Sequence, residues 1–271
     1  LWAALVCTSA RLANKEEATM TRVAFLGLFL TVLVLGPWRF AAAEDLAPIV
    51  VIGATARTAE QFIPLALERG HRVIGLARRP EAVTLEHERF TVVKGDVYDT
   101  ASLEAALSGT EIVVSLFGPR ITMADEVPVM DLYSAGYTNL IAAMRTKGNT
   151  RLFATTSTGA QKSVDKKPPL DAPRHDQWLW QVRGIYNDMQ LAERIVHGSG
   201  LDYTILRPSQ LMPEPPRDDL KIIVDADAPH FTLITYTDFA QWILDELQSD
   251  EYTGTVVGIY SDRTLQYGVN F

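Results

Sequence analysis

The chain has 271 residues, 47% of them apolar, with 25 basic and 33 acidic side chains for a formal net charge of −8. That length and balance suit one sizeable α/β core and exclude a disordered or fibrous chain. An acidic excess with no basic tract to offset it argues against nucleic acid or an anionic membrane as the main partner, and leaves a small-molecule substrate or ligand.

Residues 1–19 begin with Leu and carry no periodic pattern, so they read as upstream sequence or an artefact rather than as part of a fold. Residues 20–43 have the parts of a secretory signal peptide. Met20-Thr21-Arg22 is a short basic start, 23–35 is an apolar run, Gly36-Pro37 breaks a helix, and Ala41-Ala42-Ala43 precedes Glu44 as a small-residue cleavage site. The apolar run falls short of the roughly 20 residues that cross a bilayer, so no stable membrane span is expected after cleavage. The only thiol, Cys7, lies in the discarded part, which agrees with export. The expectation is an exported protein, periplasmic or secreted, if the leader is cleaved, and a cytoplasmic one otherwise. Residues 44–271 would then be the single folded domain.

From residue 48 onward, short β-branched runs alternate with longer amphipathic stretches. Strands are expected at 49–52, 72–76, 90–93, 112–116, 152–155, 203–206 and 255–259, and helices at 60–68, 101–107, 129–146, 188–197 and 237–247. This alternation predicts a doubly wound parallel sheet covered by helices on both faces, followed by a small C-terminal substrate-side region. Segment 163–182, with Lys166-Lys167-Pro168-Pro169, reads as an excursion over the ligand crevice. In such sheets ligands sit beyond the carboxyl ends of the strands, so the residues just after each strand are the ones to inspect.

The first of these turns is Gly53-Ala54-Thr55-Ala56-Arg57-Thr58-Ala59. Gly53 supplies a tight turn, Thr55 and Thr58 offer hydroxyls, and the amides entering the next helix would face a diphosphate. Alanine at 56 is tolerable only where φ is negative, since a position needing positive φ would be strained by a Cβ. Arg57 adds a positive charge beside the compromised turn. Pro64 predicts that the following helix bends or starts late.

Four stretches carry a family resemblance: VVIGATARTAEQFIPLALERGHRVIGLARRPEAV, VVKGDVYDTASLEAALSGTEIVVSLFGP, RLFATTSTG and AERIVHGSGLDYTILRPSQL. Together, over roughly residues 49–260, they resemble the atypical short-chain dehydrogenase/reductase superfamily, in particular its NAD(P)H-binding group of proteins like biliverdin reductase B and NmrA. The resemblance implies a Rossmann-type fold and a nicotinamide nucleotide site. Arg78 and Arg79, after the second strand, suit the 2′-phosphate of NADP, whereas an NAD enzyme keeps an acidic residue there, so NAD is the less favoured cofactor. Asp96 and Val97 resemble the family's adenine-contacting pair, although an Asp after Gly is equally a turn residue. Ser115 to Gly118 would line the inner side of the nucleotide, and the backbone around Pro208 the substrate side.

Carbonyl-reducing members pair a Ser with Tyr-x-x-x-Lys, in which the lysine lowers the tyrosine pKa. Here the candidates are Ser157, Tyr186 and Gln190, and the lysine is absent. Glutamine can hydrogen-bond a ribose but carries no charge, which leaves Tyr186 an unactivated phenol or simply a packing residue at a helix start. The expected activity is therefore hydride transfer to a small planar acceptor that takes its proton from water, such as a flavin, a quinone or a tetrapyrrole-like ring, with Trp178, Trp180 and Tyr186 as an aromatic wall. The alternative is a non-catalytic NADP(H)-sensing or protein-binding module on a degenerate scaffold. The five scattered histidines match no ligand spacing, so no metal is expected, and Ser157 lacks a hydrolase elbow.

Overall fold

A computed structural model of the chain describes residues 46–109, 111–119, 130–161, 167, 169, 171, 174–229 and 231–264. The leader read at 20–43 and the stretch upstream of it lie outside these residues.

The sheet begins with β1 (Ile49–Ile52), whose four apolar residues are buried on both faces. β2 (Val73–Ala77) and β3 (Phe90–Lys94) are laid down on one side of it. β4 (Ile112–Ser115), β5 (Arg151–Thr155) and β6 (Asp202–Pro208) follow on the other. Beyond β6 lie β10 (Thr255–Tyr260), parallel to it, and β8 (Lys221–Val224), antiparallel to β10. The spatial order is β3-β2-β1-β4-β5-β6-β10-β8, and strand order reverses between β1 and β4. A separate two-stranded ribbon pairs β7 (Gln210–Met212) with β9 (Leu233–Thr235) on the chain's return from β6.

Alternate residues of each strand feed two apolar layers. On one face, α2 (Thr100–Ala106), α3 (Leu132–Lys147) and α4 (Arg174–His197) cover Val50, Ile52, Val113, Leu152 and Ile205. On the other, α1 (Arg57–Glu68) and α5 (Tyr236–Glu246) pack together over Ile49, Val51, Val114, Phe153 and Leu206. Each fully buried aliphatic side chain contributes about 1.5–3 kcal/mol, which is why the sheet's centre tolerates no polar face.

Three sequence expectations are corrected. The helix after the first turn starts at Arg57, not late, and runs without interruption through Pro64. A proline there removes one helical hydrogen bond at about 3 kcal/mol, and burial of Phe62, Ile63, Ala66 and Leu67 offsets that loss. The segment from Arg174 to Val182, expected as loop, is the start of a helix of 24 residues. Its inward positions Val182, Ile185, Met189, Ala192 and Val196 keep helical spacing across the stretch that the upstream prolines disguised. Tyr186 therefore sits in the middle of a helix rather than at its start. The short strands β7, β8 and β9 carry too little pattern to be read in advance.

Two residues fix the ends of the central strands. Gly53 has φ +96°, and a Cβ there would stand 2.8 Å from both the N and Cα of Phe117, where the chain leaves β4. At the opposite end, the buried carboxylate of Glu111 accepts from the backbone of Ser108 and Gly109, the hydroxyl of Ser108 and the side-chain amide of Asn149. Burial alone would raise its pKa, but these donors outweigh burial and hold it at about 2.

Gly53→Ala is expected to combine left-handed strain with a backbone clash and destabilise by about 2–4 kcal/mol, whereas Ala56→Gly changes stability by less than about 1 kcal/mol. Paired denaturant melts check both values. Because the folded-state pKa of Glu111 is depressed, its stabilisation is present above the ordinary value of 4.5 and is lost as pH falls towards 2. The stability gap between wild type and Glu111→Gln should be constant near neutrality and close within that acidic window.

Candidate functional site

The site grows out of the reversal between β1 and β4. After β1 the amides of Gly53 and Ala54 both donate to the carbonyl of Leu76, and the amide of Ala56 donates to Gly53 O. The first amide to turn back into α1 is that of Glu60, which donates to Ala56 O at 3.0 Å. The amides of Arg57, Thr58 and Ala59 thus open the helix, and no side chain caps it. Such an end concentrates positive potential and is suited to an anion.

Alanine at 56 does not spoil this end. Its backbone has φ −75° and ψ 148°, an ordinary extended conformation, and its methyl packs against the apolar layer beneath α1 and α5. The methyl of Ala54 points at β2, where Gly75 admits it; a Cβ on residue 75 would lie 2.8 Å away. Ala59 is fully buried where the helix meets the sheet, and Thr58 is also buried. Thr55 is half-buried and Arg57 exposed, so these two present side chains at the turn.

The neighbouring strand ends carry the remaining candidates. Arg78 and Arg79 follow the last residue of β2 and are both exposed, with no acidic residue before Glu81. Asp96 is a turn residue: its side chain accepts from the amide of Tyr98 at 3.1 Å, and its own amide donates to Ser102 Oγ. Val97 is buried, and its carbonyl accepts from Asn139. Ser115 is fully buried and its hydroxyl pairs with the Tyr137 hydroxyl, which in turn donates to Thr155 O. That leaves Ser115 only its backbone to offer a ligand. Gly118 is exposed above the Tyr133 hydroxyl, and Phe117 stacks on Tyr133 with ring centroids 5.7 Å apart.

Ser157, Tyr186 and Gln190 are brought together, but each is engaged. The turn after β5 is held residue by residue against α4. Thr156 donates to Glu193, and Ser157 Oγ contacts the sulfur of Met189 while accepting from the amide of Gly159. The Tyr186 ring rests on Gly159, and Gln190 Nε2 donates to Ala160 O at 3.0 Å. Gln161 extends the same turn to the other side, exchanging two hydrogen bonds with the backbone of Ala228. Trp180 is covered by the guanidinium of Arg183, 3.8 Å from its ring centre, and the Trp178 side chain lies outside the described residues.

Several contacts that shape the crevice gave no signal in the sequence. Arg207, the residue before Pro208, forms a two-pronged ion pair with Glu193, at 2.9 and 2.6 Å, tying the end of β6 to α4. Burial opposes the charge on Arg207, but the Glu193 partner outweighs it and raises the pKa. Asp188, buried on α4, accepts from the amides of Tyr133 and Ser134 and so holds the opening of α3. Its position two residues after Tyr186 gave no hint of a partner more than fifty residues upstream. Among the described residues no group of three or more His, Cys, Asp or Glu is placed to hold a metal, and no helix is long and apolar enough to cross a membrane.

Comparisons with known proteins agree with this geometry. An isoflavone reductase-like protein of Olea europaea is 22% identical over 205 residues, covering 68% of this chain and 59% of that protein. The chain spans about six-tenths of the length of the first curated relatives it matches. Among solved structures, a short-chain dehydrogenase/reductase of Veillonella parvula in complex with NADP superposes with TM-score 0.63 at 19% identity, covering 83% of this chain and 99% of that one. ChuY of Escherichia coli O157:H7, described as an anaerobillin reductase, gives TM-score 0.65 at 19% identity, covering 81% and 100%. These two likenesses are of fold. The family model described as NAD(P)H-binding matches residues 53–250, starting at the glycine whose positive φ makes the first turn. The match takes in the turn, the arginines after β2 and the α4 clasp in one span, and the chain belongs to the NAD(P)H-binding family.

Proposed function

We propose that the protein is an NADP(H)-dependent oxidoreductase that passes a hydride to a small planar acceptor. The observation that carries the reading is the open start of α1, whose first three amides are uncapped while Ala56 keeps an extended backbone and packs, half-buried, against the apolar layer. The donor set fits the cofactor: Arg57, Thr58 and Ala59 amides with the Thr55 hydroxyl for the diphosphate, and Val97 with Asp96 near the adenine. Arg78 and Arg79 favour NADP, because two exposed guanidinium groups suit a 2′-phosphate and no carboxylate is there to take a ribose diol. When bound, the reduced nicotinamide supplies the hydride.

The chain's own contribution is binding and orientation. Gly118 and the backbones of Ser115 and Pro208 bound the crevice, and the Ser157 hydroxyl, held only by a thioether on its donor side, is available to orient a ligand. Gln190 brings no charge and its amide is committed to Ala160, so nothing at that position activates Tyr186 as an acid. This favours acceptors that are protonated from water, namely flavins, quinones or a conjugated tetrapyrrole-like ring. The same missing lysine is the feature that would suit a non-catalytic NADP(H)-sensing module.

Fluorescence titration tests the cofactor reading. NADPH should bind at least tenfold more tightly than NADH. The double variant Arg78→Ala/Arg79→Ala should lose about 10–100-fold for NADPH, as expected for removing charge-assisted bonds worth about 1.5–3 kcal/mol, and change NADH affinity by less than about twofold. Binding of NADPH without oxidation by FMN or a quinone would favour the sensing module, and no binding of either nucleotide at millimolar concentration would contradict both.

A further inference from the structure

We propose that Gly159 is a positioning residue for the acceptor side of the crevice, acting through the Tyr186 ring. The inference rests on the reductase reading and adds to it a residue and a role. A Cβ built on residue 159 would fall inside the van der Waals envelope of the ring, against Cε1 and Cζ and 2.7 Å from Cδ1. Backbone strain plays no part, because residue 159 does not have positive φ. The glycine is therefore demanded by the neighbour rather than by the turn.

The ring cannot yield easily. Tyr186 lies mid-helix on α4, and that helix is locked to the same turn on either side of the contact by Met189 on Ser157, Gln190 on Ala160 and Glu193 on Thr156. Asp188, two residues on, is bonded to the start of α3 at 2.7 and 3.1 Å. A methyl at 159 must push the ring sideways at the carboxyl end of β5, where a planar acceptor would lie. The site uses the place of the ring, and not the acidity of its phenol, because the residue one helical turn on is an uncharged amide already spent on Ala160.

The full chain with FMN and menadione as probes tests this, FMN binding being read from quenching of flavin fluorescence and NADPH binding being read separately. Gly159→Ala should weaken FMN about tenfold with NADPH affinity unchanged. On a Tyr186→Leu background, Gly159→Ala should have no further effect, since the ring it displaces is gone. If Gly159→Ala fails to fold, Tyr186→Leu must reproduce the tenfold FMN loss with NADPH affinity unchanged. Wild-type FMN affinity in Gly159→Ala, or in Tyr186→Leu, overturns the inference. A wild-type chain that binds NADPH but neither probe overturns it too and leaves the cofactor reading standing, whereas failure to bind NADPH strikes that reading instead.

Discussion

The site depends on one close approach. Gly53 and the backbone of Phe117 meet so tightly that no side chain fits between the exits of β1 and β4, and the positive φ of Gly53 turns the chain directly into α1. That contact draws together the two strands at which the sheet reverses, and it aims the open end of α1 into the cleft between them. A larger residue would have to part the strands or rotate the helix start, and either change would spoil the anion site proposed there. The permissive alanines follow from the same geometry. With the turn already made at Gly53, residue 56 is free to be extended, and it packs, half-buried, against the apolar layer.

The second constraint is the fastening of α4 to the turn after β5. Four successive contacts, from Glu193 to Thr156 through Gln190 to Ala160, leave that turn little freedom, and the Arg207 pair adds the end of β6 to the same unit. At the positions read from the sequence as candidates, Ser157 contacts Met189, the Tyr186 ring rests on Gly159 and Gln190 donates to Ala160. Under the proposed function such a crevice orients a cofactor and a flat acceptor, and the acceptor takes its proton from water.

Much of this was legible in advance, and the reason is physical. Parallel strands buried on both faces must be apolar throughout, so β1, β4 and β5 stand out as short β-branched runs, and the topology follows from their alternation with helices. The turn after β1 was legible for a similar reason, since a positive φ at a strand end leaves glycine as its trace. Whether Ala56 could be tolerated was not, because that depends on a backbone angle that the residue type does not encode. The fate of Pro64 was hidden likewise, as it turns on how much apolar surface the helix buries around the missing bond. Partners far apart in the chain left no trace at all: Asp188 with the start of α3, Glu193 with Arg207, and Gly159 with Tyr186 become visible only once the fold has brought them together.

The central claim is that the amides opening α1 receive a diphosphate with the methyl of residue 56 out of the way. A crystal structure of the chain with NADPH tests it most directly. Diphosphate oxygens are expected about 2.7–3.2 Å from the amide nitrogens of Arg57 and Thr58, with Ala56 still extended and its methyl against the apolar layer. A diphosphate displaced from those amides, or an Ala56 methyl turned into the anion's place, would contradict it.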